Sequence, residues 1–295
     1  MTTAIRRATS GDLAVLLATV TMWSGAFVAI KVAVPALGPI GVAASRALLG
    51  AIVVLPFAAG ALRMSLSARA WTILFVLAQL NIALPFVAIS WAETRVEASV
   101  AALLMGCGPL FAMLSAHAFL EDERMTKGRV AGVALGFGGV AVLVGASALD
   151  SSSLEDLPAY GALLAASLCY VTAGLIVRKI DIPTSMLALS TLAIAAATLV
   201  PLALFAGPGP EPFTSRTALA VLFLGVFPTG IAYVLRYYLI RKIGYATFAM
   251  GINLIPVIGV LLGVLILGEE LTPRMLIALA LVLAGLMVAR KATPA

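Results

Sequence analysis

The sequence predicts an all-α polytopic membrane protein, with ten transmembrane helices arranged as two inverted five-helix repeats. Three observations predict it. Of 295 residues, 62% are apolar and only 11% charged, with a mean hydropathy of +1.13, whereas globular proteins carry about a quarter charged residues. The apolar residues come in runs long enough to cross a bilayer, which takes about 20 residues per helix. The chain also matches itself at a nearly constant offset of 147 residues.

Ten runs follow one another at 13–33, 39–59, 70–90, 98–119, 128–145, 157–177, 184–205, 216–238, 244–267 and 273–290. The spacers are short, and no soluble domain fits between any two runs. Period-2 alternation, the mark of a β-barrel, is absent. The first run follows Arg6 and Arg7 as a signal peptide would, but it continues through Trp23 to Lys31 at full spanning length. Cys107 and Cys169 fall near the centres of runs four and six, where packed thiols rather than a disulfide are expected.

A net charge of +6 could suggest nucleic acid, but its distribution points to a membrane. With the N-terminus in the cytoplasm, the inner loops hold thirteen basic residues: Arg6, Arg7, Arg63, Arg69, Arg124, Lys127, Arg129, Arg178, Lys179, Arg241, Lys242, Arg290 and Lys291. The outer loops hold three, Arg95, Arg216 and Arg274. This asymmetry places both termini inside and no nucleic acid among the partners. Lys31, Arg46 and Arg236 lie within the runs.

At an offset of 147, Pro109 meets Pro256, Phe86 meets Tyr233, Trp23 meets Tyr170 and Lys31 meets Arg178. After run four the offset becomes 146, so Thr126 meets Thr272 and Gly139 meets Gly285. Five spans is an odd number, so the two copies insert with opposite orientation. The repeats are expected at 1–147 and 157–295, joined by an outer linker at 148–156. Such pairs place a substrate site near the bilayer midplane, between the halves. Pro109 and Pro256 stand halfway along runs four and nine, within "MGCGP" and "GINLIP". A helix break at that depth is tolerated where the freed carbonyls face protein or a water-filled cavity, although simple packing kinks are the alternative. Pro85 and Pro228 are further candidate breaks, in runs three and eight.

Within the runs, polar and aromatic side chains are few. Trp23, Ser24, Gln79, Asn81, Tyr170 and Asn253 lie near the middle. Phe86 and Tyr233 form mirrored rims, with Tyr237 one turn beyond Tyr233. Gln79, Phe86 and Ser90 share a helical face at spacings of seven and four. Together these residues are the expected substrate-binding set, an aromatic pocket with a few hydrogen-bonding groups. Anchoring at the interface is the alternative for Trp91, Tyr160, Tyr237 and Tyr238.

A central Arg or Lys costs about 2.5–3.5 kcal/mol on insertion scales. Lys31 stands close enough to the outer end of run one to snorkel. Arg46 is deeper and suits either a substrate carboxylate or helix-end carbonyls. No carboxylate lies well inside a run: Asp12, Glu93, Glu97, Glu121 and Glu269 all sit at ends or in loops. That weighs against a buried proton relay, so alternating access driven by the substrate's own gradient is expected. His117, the only histidine, stands near the inner end of run four.

The glycines of "GFGGVA" at 136–141 fit a dinucleotide-type pattern but lie inside a run, with no strand before them. Gly128, Gly132 and Gly136, with Gly259 and Gly263, read as small-residue ridges for close helix packing. No catalytic residue, metal cluster or cofactor site is expected.

"WSGAFVAIK" at 23–31, Arg46 within "SRALLGA" and the ending "LGEELTPRMLIALALVLAGLMV" resemble the EamA branch of the drug/metabolite transporter superfamily over the whole chain. Ser24 and Ala26 depart from the glycine and asparagine common in the first motif. The resemblance implies a ten-helix exporter of amino acids, aromatic ones included, or of related metabolites, in a bacterial-type inner membrane. A proton-coupled exporter of lipophilic drugs is the alternative. The implied partners are a small-molecule substrate and the lipid bilayer, and the expected state is a monomer or weak homodimer.

Overall fold

The computed structural model describes residues 8–58, 66–119, 125–149, 155–177 and 182–291, and every regular element among them is helical. Helix α1 (Ser10–Ala58) has 49 residues. At 1.5 Å per residue it would extend about 70 Å, more than twice a bilayer core, were it straight. It is divided at Gly38, whose φ of 67° favours glycine. Pro39 has no amide to offer the Pro35 carbonyl. That carbonyl instead accepts from the Glu211 amide at 3.1 Å, and the Ala36 carbonyl from Gly209 at 2.9 Å.

The chain continues through α2 (Ala68–Ala92), α3 (Ala98–Met105), α4 (Gly108–Phe119), α5 (Lys127–Leu149), α6 (Leu157–Val177) and α7 (Thr184–Ala206). Helix α8 (Ser215–Leu224) leads through a π-type turn into α9 (Ala232–Ile252), which is hinged at Gly244 with a φ of 81°. Helices α10 (Ile255–Leu267) and α11 (Pro273–Lys291) complete the order. Seven helices among the described residues are long and apolar enough to cross a bilayer, and two shorter apolar ones accompany them. The ten expected runs differ from these segments where backbone irregularities fuse or split them. Runs one and two form α1, run four divides into α3 and α4, and run nine into the end of α9 and α10. Residues 150–154 of the expected linker lie outside the described residues, as do Arg6, Arg7, Arg63, Glu121, Arg124, Arg178 and Lys179.

Helix α1 is the hub, packed against α2, α7, α8, α9 and α10. Large apolar side chains also point outward, Leu204 and Phe205 being 81% and 92% exposed. In water such faces would aggregate; in lipid, outward and inward surfaces can be equally apolar. The chain is therefore built as a polytopic membrane protein.

Helices α5 and α11 lie against each other through glycine. A Cβ at Gly132 would stand 2.5 Å from the Gly285 carbonyl oxygen and the Ala289 amide. The ridge read from the sequence is thus used within the molecule, where small residues bring backbones together. Gly263 serves a different neighbour. Its missing side chain leaves room for the Glu269 carboxylate, which accepts from the amides of Ala98 (2.7 Å) and Ser99 (2.9 Å) and so caps α3 from the far end of the sequence.

Three thermal-unfolding measurements in detergent follow from this packing. Gly132→Leu is expected to lose about 1–3 kcal/mol through overpacking. Gly138→Ala, where an added Cβ meets nothing within 4 Å, is expected to match the wild type or gain up to about 1 kcal/mol. Gly263→Ala displaces the Glu269 carboxylate and is expected to cost about 1.5–3 kcal/mol; a melting curve equal to wild type would show that the cap contributes nothing.

Candidate functional site

Two pairs of backbone irregularities recur in the two halves of the chain. The first pair is a π-type turn at Gln79–Ala83 in α2 and another at Gly225–Ile231 between α8 and α9. Pro85 follows the first and Pro228 lies inside the second. A proline lacks the amide donor and crowds the carbonyl four residues back, and a widened turn relieves that crowding. The second pair is a break at 106–107 between α3 and α4 and another at 253–254 between α9 and α10. Pro109 and Pro256 each stand second in the helix that restarts, where a missing amide costs least.

The freed backbone groups find partners in the protein. At the second π-type turn the Ala232 amide donates to Phe227 instead of Pro228. The Pro228 carbonyl accepts from Trp23 Nε1 at 3.0 Å. Trp23 also meets Phe248 edge to face, with ring centroids 6.0 Å apart. Ser24 is buried, its hydroxyl 2.9 Å from the Val20 carbonyl and 3.2 Å from that of Ile255, the first residue after the second break. The broken helices approach each other closely, since a Cβ at Gly106 would come within 2.8 Å of the Pro256 ring. Pro256 is buried in this contact, whereas Pro109 is half-buried.

The most polar point between the halves is Arg46, 8% exposed. Its Nε donates to Thr229 Oγ1 at 2.7 Å, and its guanidinium lies 3.8 Å above the Phe86 ring. The phenols of Tyr170 and Tyr233 and the carboxyl of Glu93 stand close enough to act on it electrostatically. Asn81 Nδ2 donates to Tyr233 Oη at 3.4 Å. Residues from α1, α2, α6 and the 225–233 stretch therefore converge on one cation. Such a cluster, amide and phenols around a guanidinium over an aromatic face, can bind a carboxylate and an adjoining apolar group.

Not every expected side chain joins the cluster. Gln79 does not share a face with Phe86: it donates to Thr198 Oγ1 on α7 at 3.3 Å. The π-type turn between the two residues inserts an extra position and rotates one face away from the other. Asn253 sits at the second break, half-buried, with no side-chain hydrogen bond among the described residues. The side chain of Tyr237 lies outside the described residues.

Lys31 does not snorkel. Its ammonium turns in to donate to the carbonyls of Glu93 (2.8 Å) and Val96 (2.7 Å), capping the end of α2. His117 is exposed at the end of α4, with Nδ1 accepting from the Met125 amide at 3.3 Å.

Glu93 stands at a helix end, as expected from the sequence, yet it is completely buried, and neither carboxyl oxygen has a hydrogen-bond partner among the described residues. Thr229 and Glu93 are the residues that sequence reasoning missed. The hydroxyl directly after Pro228 in an apolar run was the available signal for the first. A helix-end carboxylate is ordinarily solvated, so nothing local marked the second. A shallow apolar groove of about 510 Å³, lined by Ala14, Leu17, Ala18, Thr21, Met22 and Phe223, contains none of these polar groups.

The chain is 29% identical over 282 residues to a probable terminal-alkyne amino-acid exporter of Streptantibioticus cattleyicolor, covering 94% of this chain and 93% of that protein. It is 26% identical over 278 residues to an uncharacterized transporter of Archaeoglobus fulgidus, covering 92% and 96% respectively. A solved crystal structure shares the fold with a TM-score of 0.66 at 24% identity, over 96% of this chain and 98% of that one. The model of the EamA-like transporter family matches residues 9–145 and again 157–290. The chain is therefore a transporter belonging to the EamA-like family, within the drug/metabolite superfamily.

Proposed function

We propose that the chain is a secondary carrier that exports amino acids, aromatic ones included, or related small metabolites across a bacterial-type cytoplasmic membrane. The observation that carries this is Arg46, a buried cation at the junction of the two halves, set over Phe86 and beside Tyr170 and Tyr233. At membrane depth such a charge costs about 2.5–3.5 kcal/mol, an expense that selection tolerates for function. A guanidinium suits the substrate carboxylate, and the aromatic side chains suit its apolar part. Trp23 and Asn81 add hydrogen-bonding groups beside this centre and Asn253 adds one at the second helix break, while Ser24, Pro85, Pro109, Pro228 and Pro256 shape the backbone that holds them. The name of the Streptantibioticus relative supports the substrate class.

Transport proceeds by alternating access between two inverted repeats of five helices, 1–147 and 157–295, with both termini cytoplasmic. The recurrence of π-type turn and helix break at matching places in the two halves supports this division. Lipophilic cations, the substrates of the alternative drug exporter, would meet like charge at Arg46.

Counterflow of a panel of L-amino acids in proteoliposomes tests the proposal. Arg46→Met is expected to lower uptake at least about 10-fold, the loss of one charge-assisted contact. Asn253→Ala and Gln79→Ala should lower it less, at normal membrane expression. Unchanged kinetics in Arg46→Met would remove the pocket. Reporter fusions at the two ends are expected to report the same, cytoplasmic side; opposite sides would break the inverted arrangement.

A further inference from the structure

Glu93 stands at the edge of the cluster around Arg46, and it is buried at a cost that no hydrogen bond among the described residues offsets. Its two carboxyl oxygens are buried without a hydrogen-bond donor among the described residues. An ionised carboxylate in that position would be expensive, while the neutral acid is far less so. Lys31 relieves the cost only in part, because its ammonium bonds the backbone carbonyls of Glu93 and Val96 and makes no hydrogen bond to the carboxylate. Burial pushes the Glu93 carboxyl well above the usual carboxylate range; Glu269 acts in the same direction, and Lys31 and Arg46 act against it.

The geometry ties this carboxyl to the substrate cluster. Phe86, Ser90 and Glu93 fall at spacings of four and seven, so they share one face of α2 beyond the π-type turn, and all three are buried. Arg46 lies on the Phe86 ring at one end of this face, with Glu93 about two turns, or roughly 10 Å, along it. The neighbouring elements bring Lys31 and Arg46 from α1, Glu269 from the stretch after α10, and Tyr160 and Tyr170 from α6, Tyr160 lying in the same buried cluster as Ile89, Ala92 and Val96. Lys31 and Arg46 stand on opposite sides of the Gly38 hinge.

We propose that Glu93 is a proton-binding site of the transport cycle, neutral in the arrangement seen here, whose deprotonation draws Arg46 away from Thr229. The carboxyl is buried in this arrangement, so the proton leaves for water when the transport cycle opens the end of α2. The carboxylate that forms accepts the guanidinium N–H groups of Arg46, and the bond from Arg46 Nε to Thr229 Oγ1 breaks. That bond joins α1 to the π-type turn of the second half, so its release removes one of the ties between the halves and leaves that from Trp23 to the Pro228 carbonyl. Protonation reverses each step. The inference rests on the carrier proposal only for its use in transport; the proton site itself does not depend on the substrate.

Infrared difference spectroscopy of the reconstituted full chain, titrated in pH, tests it without any substrate. The wild type is expected to show the carbonyl stretch of a protonated carboxyl at pH 7, lost as pH rises and absent from Glu93→Gln. Glu93→Asp, which keeps a titrating group, should restore a band. Thr229→Val frees Arg46 for the carboxylate and should lower the pH at which the band is lost; Arg46→Met should raise it. A wild-type spectrum without the band, an unchanged band in Glu93→Gln, or a midpoint that neither Thr229→Val nor Arg46→Met moves overturns the inference. Counterflow of L-phenylalanine and the other L-amino acids in the same vesicles separates the two proposals. Absence of all counterflow with an intact, Arg46-dependent titration rejects the amino-acid assignment and supports the proton site.

Discussion

Inside a bilayer no water is available to satisfy a broken helix, so each freed carbonyl or buried charge must find its partner within the protein. The arrangement around the site follows from that constraint. Pro228 interrupts helical pairing and its carbonyl takes the indole N–H of Trp23. Beside the second helix break, the Ser24 hydroxyl approaches the carbonyl of Ile255. Pro39 leaves the Pro35 carbonyl unpaired, and a loop amide from Glu211 fills it. The end of α2 is held by Lys31. Residues whose types suggest substrate contact therefore hold the backbone of the site.

A second consequence concerns how the halves of the chain are joined. Arg46 to Thr229, Trp23 to Pro228, Asn81 to Tyr233 and Glu269 to the amides of Ala98 and Ser99 all run between residues more than 150 positions apart. Single ties of this kind, neutral or charge-assisted, are each worth about 0.5–3 kcal/mol. The α5–α11 contact is of another kind, backbone against backbone through glycine.

The polar ties were only partly legible in the sequence. Arg46 announced itself, because a cation in an apolar run is rare and costly. Its partners did not, since Thr229 looks like any hydroxyl beside a proline. Lys31 was expected to reach for water and instead caps the helix of Glu93. Gln79 and Phe86 were expected on one face, but the intervening π-type turn sets them apart. Spacing arithmetic assumes 3.6 residues per turn, and a single widened turn cancels it. Glu93 was discounted because it stands at the end of a run, where burial depends on neighbours that the local sequence does not reveal.

The sequence by itself determined the membrane class, the positions where helices must bend, and the transporter family, since these follow from apolar run length, proline placement and motif. These signals are local: each can be read within about twenty consecutive residues. Only the tertiary structure decided which groups meet at Arg46, that Glu93 is buried, and that the glycine ridge of α5 is spent on α11. Those are contacts between segments far apart in the chain. Their energies depend on distance and solvent exposure, quantities that exist only once the helices have packed.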